Sequence, residues 1–115
     1  MIPEATNLTD GTVWLVAGYT TETDAEILSA KILGVLQKTN FSILGESEHH
    51  FSPQGFTKVF LLGESHFAIH TWPERKISWF ELASCSEEKF SAFLTELQAI
   101  SLPELRIVNQ IICRP

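Results

Sequence analysis

The chain has 115 residues, 44% of them hydrophobic and 19% charged, with a net charge of −6. This length supports one hydrophobic core, and we predict a single domain over residues 1–115. The eight basic residues are scattered, which disfavours a nucleic acid partner, and no apolar run approaches the length of a membrane span. Because the N-terminus lacks a signal pattern and there are only two cysteines, we expect a cytoplasmic protein with reduced thiols.

The start of the chain predicts a strand followed by a helix. Residues 12–17 are apolar and β-prone, which is typical of a first strand. Thr23 and Glu26 have the spacing of a capping box, so a helix is predicted from this point to about Lys38. Its buried face comprises Ile27, Leu28, Ile32, Val35 and Leu36.

Extended segments occupy the middle of the chain, and a second helix follows them. Strands are predicted over 41–51, 57–62, 67–72 and 77–84, a helix over about 86–100, and a last strand over 105–113. Runs of strands between only two helices indicate an α+β two-layer sandwich, an antiparallel sheet with two helices on one face. The other face of such a sheet needs cover, which favours a homodimer.

A dense set of reactive side chains lies in Gly63-Glu64-Ser65-His66-Phe67-Ala68-Ile69-His70-Thr71-Trp72-Pro73-Glu74. A serine hydroxyl such as that of Ser65 is a poor nucleophile unless a base and hydrogen-bond donors for an oxyanion lie beside it. Gly63 lets the backbone adopt a strained conformation there. By strand alternation His70 faces the side opposite Ser65, so the two share a face only if the chain turns at the serine.

This run resembles the self-processing centre of the prokaryotic S-adenosylmethionine decarboxylases. The resemblance rests on the serine after Glu64, on His66-x-x-x-His70-Thr-Trp-Pro-Glu, and on a cysteine twenty residues after the serine. It implies that the chain cuts itself between residues 64 and 65 and converts Ser65 into a pyruvoyl group. Such a ketone forms a Schiff base with a substrate amine and acts as the electron sink for decarboxylation.

The resemblance also implies a role for each matching residue. Ser65 is the pyruvoyl precursor, Glu64 precedes the cleaved bond, and His70 is the processing base. Thr57 stands where the family has a processing serine, and Cys85 returns a proton to the carbanion. The implied substrate pocket contains Phe51, which stacks on adenine, together with Phe67, Trp72 and Glu74.

Departures from the family pattern leave the substrate open. Relatives usually carry a histidine and a glutamate in the first strand, where this chain has Trp14-Leu15-Val16-Ala17-Gly18-Tyr19, and Cys85-Ser86 replaces Cys-Gly. Trp79-Phe80 makes the following strand unusually bulky. We expect an S-adenosylmethionine decarboxylase of spermidine synthesis that works as a homodimer of processed protomers. The alternatives are a pyruvoyl-dependent decarboxylase of another amino acid, such as arginine or ornithine, and a non-catalytic paralogue that regulates an active subunit.

A metal site is a weaker interpretation of the same residues. The candidate zinc ligands are His49, His50, His66, His70 and Cys85. No Cys-x-x-Cys pair and no His-x-x-x-His pair on a recognisable helix supports such a site. We therefore expect no metal.

Overall fold

The computed structural model describes residues 12–113, which form six strands and two α-helices. In chain order they are β1 (Val13–Thr20), α1 (Ala25–Lys38), β2 (Ile43–His50), β3 (Phe56–Leu62), β4 (Ser65–Trp72), β5 (Ile77–Ser84), α2 (Glu87–Ala99) and β6 (Arg106–Cys113). A short 3-10 turn at Pro73–Arg75 links β4 to β5. Within this part of the chain, neither helix is long and apolar enough to cross a membrane.

All six strands belong to one sheet, in the order β2-β3-β4-β5-β1-β6. Every neighbouring pair is antiparallel. β4 therefore lies inside the sheet between β3 and β5, and β1 is inserted between β5 and β6. The α+β class with an antiparallel sheet is confirmed. The single-domain prediction over 1–115 stays a prediction, because residues 1–11 and 114–115 lie outside the described residues.

Both helices pack against one face of the sheet, which we call the helix-covered face. The core there is rich in phenylalanine, and each fully buried side chain of this kind stabilises the fold by about 1.5–3 kcal/mol. Its members include Leu28, Ile32, Leu36, Phe56, Phe60, Phe67, Phe80, Leu82, Phe90, Phe93 and Leu97. The opposite side is the open face, where Val59, Leu61, Trp72 and Ile111 are 36–55% exposed.

The start of α1 differs from its prediction by one residue. Asp24, not Thr23, is the N-cap, and its carboxylate accepts a hydrogen bond from the Ile27 N–H at 3.0 Å. Both side chains have the chemistry of a cap, and only the backbone conformation decides between them. The predicted burial of Ile27 is wrong, because this side chain, one residue before the first buried position at Leu28, is 41% exposed.

The strand boundaries also shift where packing overrides local pattern. β1 continues to Thr20 instead of ending at Ala17, because β5 and β6 pair with it on both sides. β4 begins at Ser65 instead of Phe67. β2 begins at Ile43, since the preceding Phe41 turns into the core against Phe93 at a ring distance of 6.4 Å.

Candidate active site

The bond between residues 64 and 65 lies at the tip of the hairpin that joins β3 to β4. Leu62 pairs with Ser65, which leaves Gly63 and Glu64 as a two-residue loop. Glu64 has a φ of +55°, in the left-handed region, whereas Gly63 does not. A left-handed conformation costs a non-glycine residue about 1–2 kcal/mol. The strain predicted at Gly63 therefore falls on Glu64, whose carbonyl carbon belongs to the candidate bond.

Ser65 is held by the end of β5. Its Oγ donates a hydrogen bond to Ser84 Oγ at 3.4 Å and accepts one from the Cys85 N–H, also at 3.4 Å. Ser84 is fully buried, whereas Cys85 is exposed and is a free thiol. A cavity of about 280 Å³ borders Glu64, Ser65 and Cys85. We call Glu64, Ser65, Ser84 and Cys85 the cleavage cluster.

A second group of predicted residues surrounds His70 at the other end of β4. Thr57 pairs with His70 across β3 and β4, and Thr57 Oγ1 forms a hydrogen bond with His70 Nδ1 at 3.0 Å. The imidazole also stacks on Trp72, with ring centres 5.9 Å apart. A cavity of about 350 Å³ is lined by these three residues together with Phe51 and Glu74. These five residues form the pocket cluster.

The aromatic walls of this cavity are accessible to a ligand. Phe51 is 51% exposed and Trp72 is 42% exposed. The His49 ring packs edge-on against the Phe51 ring, with ring centres 4.7 Å apart, which limits the orientations of the Phe51 ring. Gln54 Nε2 donates a weak hydrogen bond to Glu74 at 3.4 Å. Exposed aromatic faces beside a carboxylate suit a flat, partly cationic ligand.

Within one chain the two clusters are far apart. Ser65 and His70 are five residues apart on one extended strand, which corresponds to about 16 Å along β4. They also face opposite sides, because the chain turns at Gly63-Glu64, before the serine, and strand alternation then holds to Trp72. His70 cannot reach the Ser65 hydroxyl of its own chain in this arrangement.

The structure contradicts one predicted pocket residue. Phe67 has no exposed surface and lies in the helix-covered core, with its ring centre 6.0 Å from Phe80 and 5.5 Å from Phe93. The residues at odd positions of β4 point toward the helices, whereas His70 and Trp72, at even positions, point to the open face. Phe67 therefore serves packing and lines neither cavity.

Three neighbours of the clusters were missed by the sequence analysis. Ser84 touches Ser65, His49 contacts Phe51, and Gln54 contacts Glu74. Ser84 and Ser65 are nineteen residues apart and meet only through the register of β5 on β4. His49 and Gln54 carried a local signal, since they lie two and three residues from Phe51, which the resemblance places in the substrate pocket.

Strongly coupled charges lie on the helix-covered side near the sheet edge, away from both clusters. Lys58 is nearly buried, and its amine contacts Glu46 at 2.9 Å and Glu48 at 3.1 Å. Burial alone lowers the pKa of Lys58, but hydrogen bonds and charge from the two glutamates outweigh burial and raise it. Hydrogen bonds from His50 and then Lys58 lower the pKa of Glu48. Among residues 12–113, no group of three or more His, Cys, Asp or Glu side chains is placed to hold a metal ion.

Comparisons with known sequences bear on the identity of these clusters. The chain is 33% identical over 67 residues to the S-adenosylmethionine decarboxylase proenzyme of Acidithiobacillus ferrooxidans, covering 58% of this chain and 50% of that one. It is 39% identical over 69 residues to the proenzyme of a Sulfurihydrogenibium species, covering 58% and 52%. Over 39 residues it is 51% identical to that of Methanococcus maripaludis, covering 34% and 32%. The chain thus spans about half the length of the curated relatives it matches.

The fold has a counterpart among solved structures. The crystal structure of the adenosylmethionine decarboxylase from Aquifex aeolicus VF5 superposes with a TM-score of 0.63 at 21% identity, covering 90% of this chain and 88% of that one. The sequence model of the S-adenosylmethionine decarboxylase family matches residues 18–103, which is well over half of the chain and contains both clusters. The predicted resemblance is confirmed, and the chain belongs to the S-adenosylmethionine decarboxylase family.

Proposed function

We propose that this protein is a self-processing, pyruvoyl-dependent S-adenosylmethionine decarboxylase, which supplies decarboxylated S-adenosylmethionine to spermidine synthesis in the cytoplasm. The observation that carries the proposal is the cleavage cluster. In it a serine hydroxyl, directly after a residue with a strained backbone, accepts a hydrogen bond from the backbone N–H of a cysteine whose thiol is free. The name proenzyme, which the relatives carry, supports a precursor that is cut.

Cleavage begins from the strained hairpin. The left-handed Glu64 is higher in energy than an ordinary loop residue, and opening the bond to Ser65 releases that strain. The Ser65 hydroxyl, fixed by the hydrogen bond that it donates to Ser84 and the one that it accepts from the Cys85 N–H, is the nucleophile toward the Glu64 carbonyl carbon. Ser65 therefore fits the role of pyruvoyl precursor, and residues 1–64 and 65–115 become the two chains of the processed protein.

The processed site needs a proton donor and a binding pocket. When present, the pyruvoyl group supplies the electron sink for loss of the substrate carboxylate. Cys85 is exposed at the edge of the cavity beside residue 65, where its thiol can return a proton to the substrate carbon. Phe51 and Trp72 offer stacking surfaces for adenine, and Glu74 offers a carboxylate to donors or positive charge on the substrate.

A homodimer brings the two clusters together. The open face exposes Val59, Leu61, Trp72 and Ile111, an apolar surface that a second sheet can cover. A two-fold axis that lies between the two sheets and perpendicular to β4 makes the two β4 strands run in opposite directions. The end of β4 at residue 65 in one protomer then lies over the end at residue 70 in its partner. In this arrangement His70 and Thr57 of one protomer lie over the cavity at the 65 end of its partner's β4, where the open-face residues Leu61, His66 and Ala83 border Ser65, and they act on the bond before Ser65 from that side of the sheet.

Intact mass spectrometry of the purified protein under denaturing conditions tests the proposal. We expect two fragments, residues 1–64 and a pyruvoyl-blocked chain that starts at position 65, and release of carbon dioxide from S-adenosylmethionine. Release of carbon dioxide from arginine or ornithine, and none from S-adenosylmethionine, would support the pyruvoyl cofactor but show that the proposed substrate is wrong. A single chain that stays uncut on long incubation would refute the active enzyme and favour the regulatory paralogue.

A further inference from the structure

Ser84 is the buried polar residue that contacts the nucleophile of the cleavage cluster. It ends β5, has no exposed surface and lies opposite Ser65 in the sheet. Its Oγ makes three hydrogen bonds: it accepts from Ser65 Oγ at 3.4 Å and from the Ser86 N–H at 3.1 Å, and it donates to the Ser86 carbonyl at 3.2 Å. So far this hydroxyl has been described only as one of the two hydrogen-bond partners of Ser65.

The hydrogen-bond count fixes the direction of the Ser65 hydroxyl. A serine has one proton to donate, and that of Ser84 is directed at the Ser86 carbonyl. Ser84 Oγ can therefore only accept from Ser65, so the Ser65 proton points toward Ser84. The Cys85 N–H occupies one lone pair of Ser65 Oγ, and the second lone pair is left for attack on the Glu64 carbonyl carbon.

The same hydroxyl fixes the segment that carries the thiol. Its two bonds to Ser86 close a tight turn around Cys85. Ser86 is in turn the N-cap of α2, where its side chain accepts from the Lys89 N–H at 3.3 Å. Ser84 thus connects the nucleophile, the Cys85 backbone and the start of α2 through one buried oxygen atom.

We propose that Ser84 is a positioning residue for self-cleavage, an inference that rests on the proposed function. In the step concerned, a bond forms between Ser65 Oγ and the Glu64 carbonyl carbon, the peptide C–N bond breaks, and the hydroxyl proton ends on the Ser65 nitrogen. Ser84 removes no proton itself in this step, and its own hydrogen stays on its Oγ, directed at the Ser86 carbonyl. It orients the attacking oxygen and keeps the Cys85 N–H against it.

The test measures the first-order rate at which the freshly translated full-length chain is cut, by intact mass spectrometry during a chase. Ser84→Ala should slow cleavage about 2- to 12-fold, the equivalent of one hydrogen bond. Ser84→Thr keeps the hydroxyl and should restore most of the rate. Ser78→Ala is the matched control, because Ser78 is an equally buried serine on the same face of β5 that bonds the Glu22 carbonyl at 2.7 Å, far from the cluster.

Each outcome decides the inference. Slow cleavage in Ser84→Ala alone, with Ser84→Thr and Ser78→Ala near the unmodified rate, supports it. Equal rates in Ser84→Ala and the unmodified chain, or no rescue by threonine, overturns it while leaving the proposed function intact. An unmodified chain that is never cut overturns both. Thermal unfolding in an uncleavable Ser65→Ala background completes the test, since a larger loss of stability for Ser84→Ala than for Ser78→Ala would assign the slower cleavage to misfolding and overturn the inference.

Discussion

Mixing two inactive variants distinguishes an active site within one chain from a site shared by two chains. A base must come within about 3 Å of the proton that it takes, directly or through one water. Ser65 and His70 of one chain are separated by about 16 Å of extended strand and face opposite sides of the sheet. Ser65→Ala and His70→Ala should each abolish decarboxylation alone, but they should complement each other in a dimer.

The geometry sets the size of the recovery. When the two variants are co-expressed in equal amounts and pair at random, half of the dimers contain one chain of each kind. In such a dimer one site combines the intact Ser65 of one chain with the intact His70 of the other, and the second site lacks both. About one quarter of all sites should therefore be cut and should release carbon dioxide from S-adenosylmethionine.

A matched pair of variants controls for unspecific recovery. Ser65→Ala and Cys85→Ala change two residues of the same cleavage cluster, so no dimer between them contains a complete cluster, and carbon dioxide release should stay near zero. Mass spectrometry reports cleavage, and size-exclusion chromatography reports the dimer. Absence of recovery from the Ser65 and His70 pair, in a preparation shown to be dimeric, would refute the shared site.

Three further changes test other parts of the arrangement. Phe51→Ala should leave self-cleavage intact and raise KM for S-adenosylmethionine by about 5- to 150-fold, the range for loss of one stacked base, while Phe51→Tyr should stay near the original value. Cys85→Ala should still be cut, as seen by mass, but its turnover should fall by about 100-fold or more, because it lacks the general acid. Lys58→Met should change the free energy of unfolding by less than about 1 kcal/mol, whereas the pair Glu46→Gln and Glu48→Gln should lower it by more than Lys58→Met does, because they leave a buried amine without its charged partners. Folding raises the pKa of Lys58, so its contribution to the stability of the fold is present below about pH 10.4 and is lost as the pH rises through the pKa of the folded state. Folding lowers the pKa of Glu48, so its contribution to stability is present above about pH 4.3 and is lost as the pH falls through the pKa of the folded state. The unfolding midpoint of each protein, measured across pH, checks this account. It would be contradicted if Lys58→Met lost as much stability at alkaline pH as the unmodified chain does.

The order of strands and helices was predictable because its signals are local. Alternation, apolar stripes and turn residues lie within a few positions of one another, and β5 was predicted to the residue at 77–84. The register of one strand on the next is not local. The contacts of Thr57 with His70, and of Ser65 with Ser84, depend on that register, which no short segment encodes.

The error at Phe67 shows where sequence reasoning reached its limit. Ser65 and Phe67 share one side of β4, and His70 and Trp72 share the other, as alternation requires. The whole fold decides which side of β4 the helices cover. The sequence near Phe67 has aromatic residues at both odd and even positions, so it does not indicate which set is buried. The resemblance identified the family correctly but carried no information on which positions point into the core.

The departures from the family pattern bear on the choice of substrate through their location. Of the described residues, those at 14–19 line neither the cavity of the pocket cluster nor the cavity beside Cys85. Gly18 faces the helices, and a Cβ there would lie 2.3 Å from the Arg106 carbonyl oxygen and 2.7 Å from the Phe80 ring. The glycine and the bulky Phe80 are thus a complementary packing pair on the helix-covered side. Gly18 therefore remodels the core, whereas Leu15 and Ala17 line a third cavity, of about 180 Å³, with His66 and Glu81. Because Phe51, Trp72 and Glu74 still surround one cavity, the departures leave the proposed adenine pocket in place and give no reason at that pocket to replace S-adenosylmethionine by a smaller amino acid.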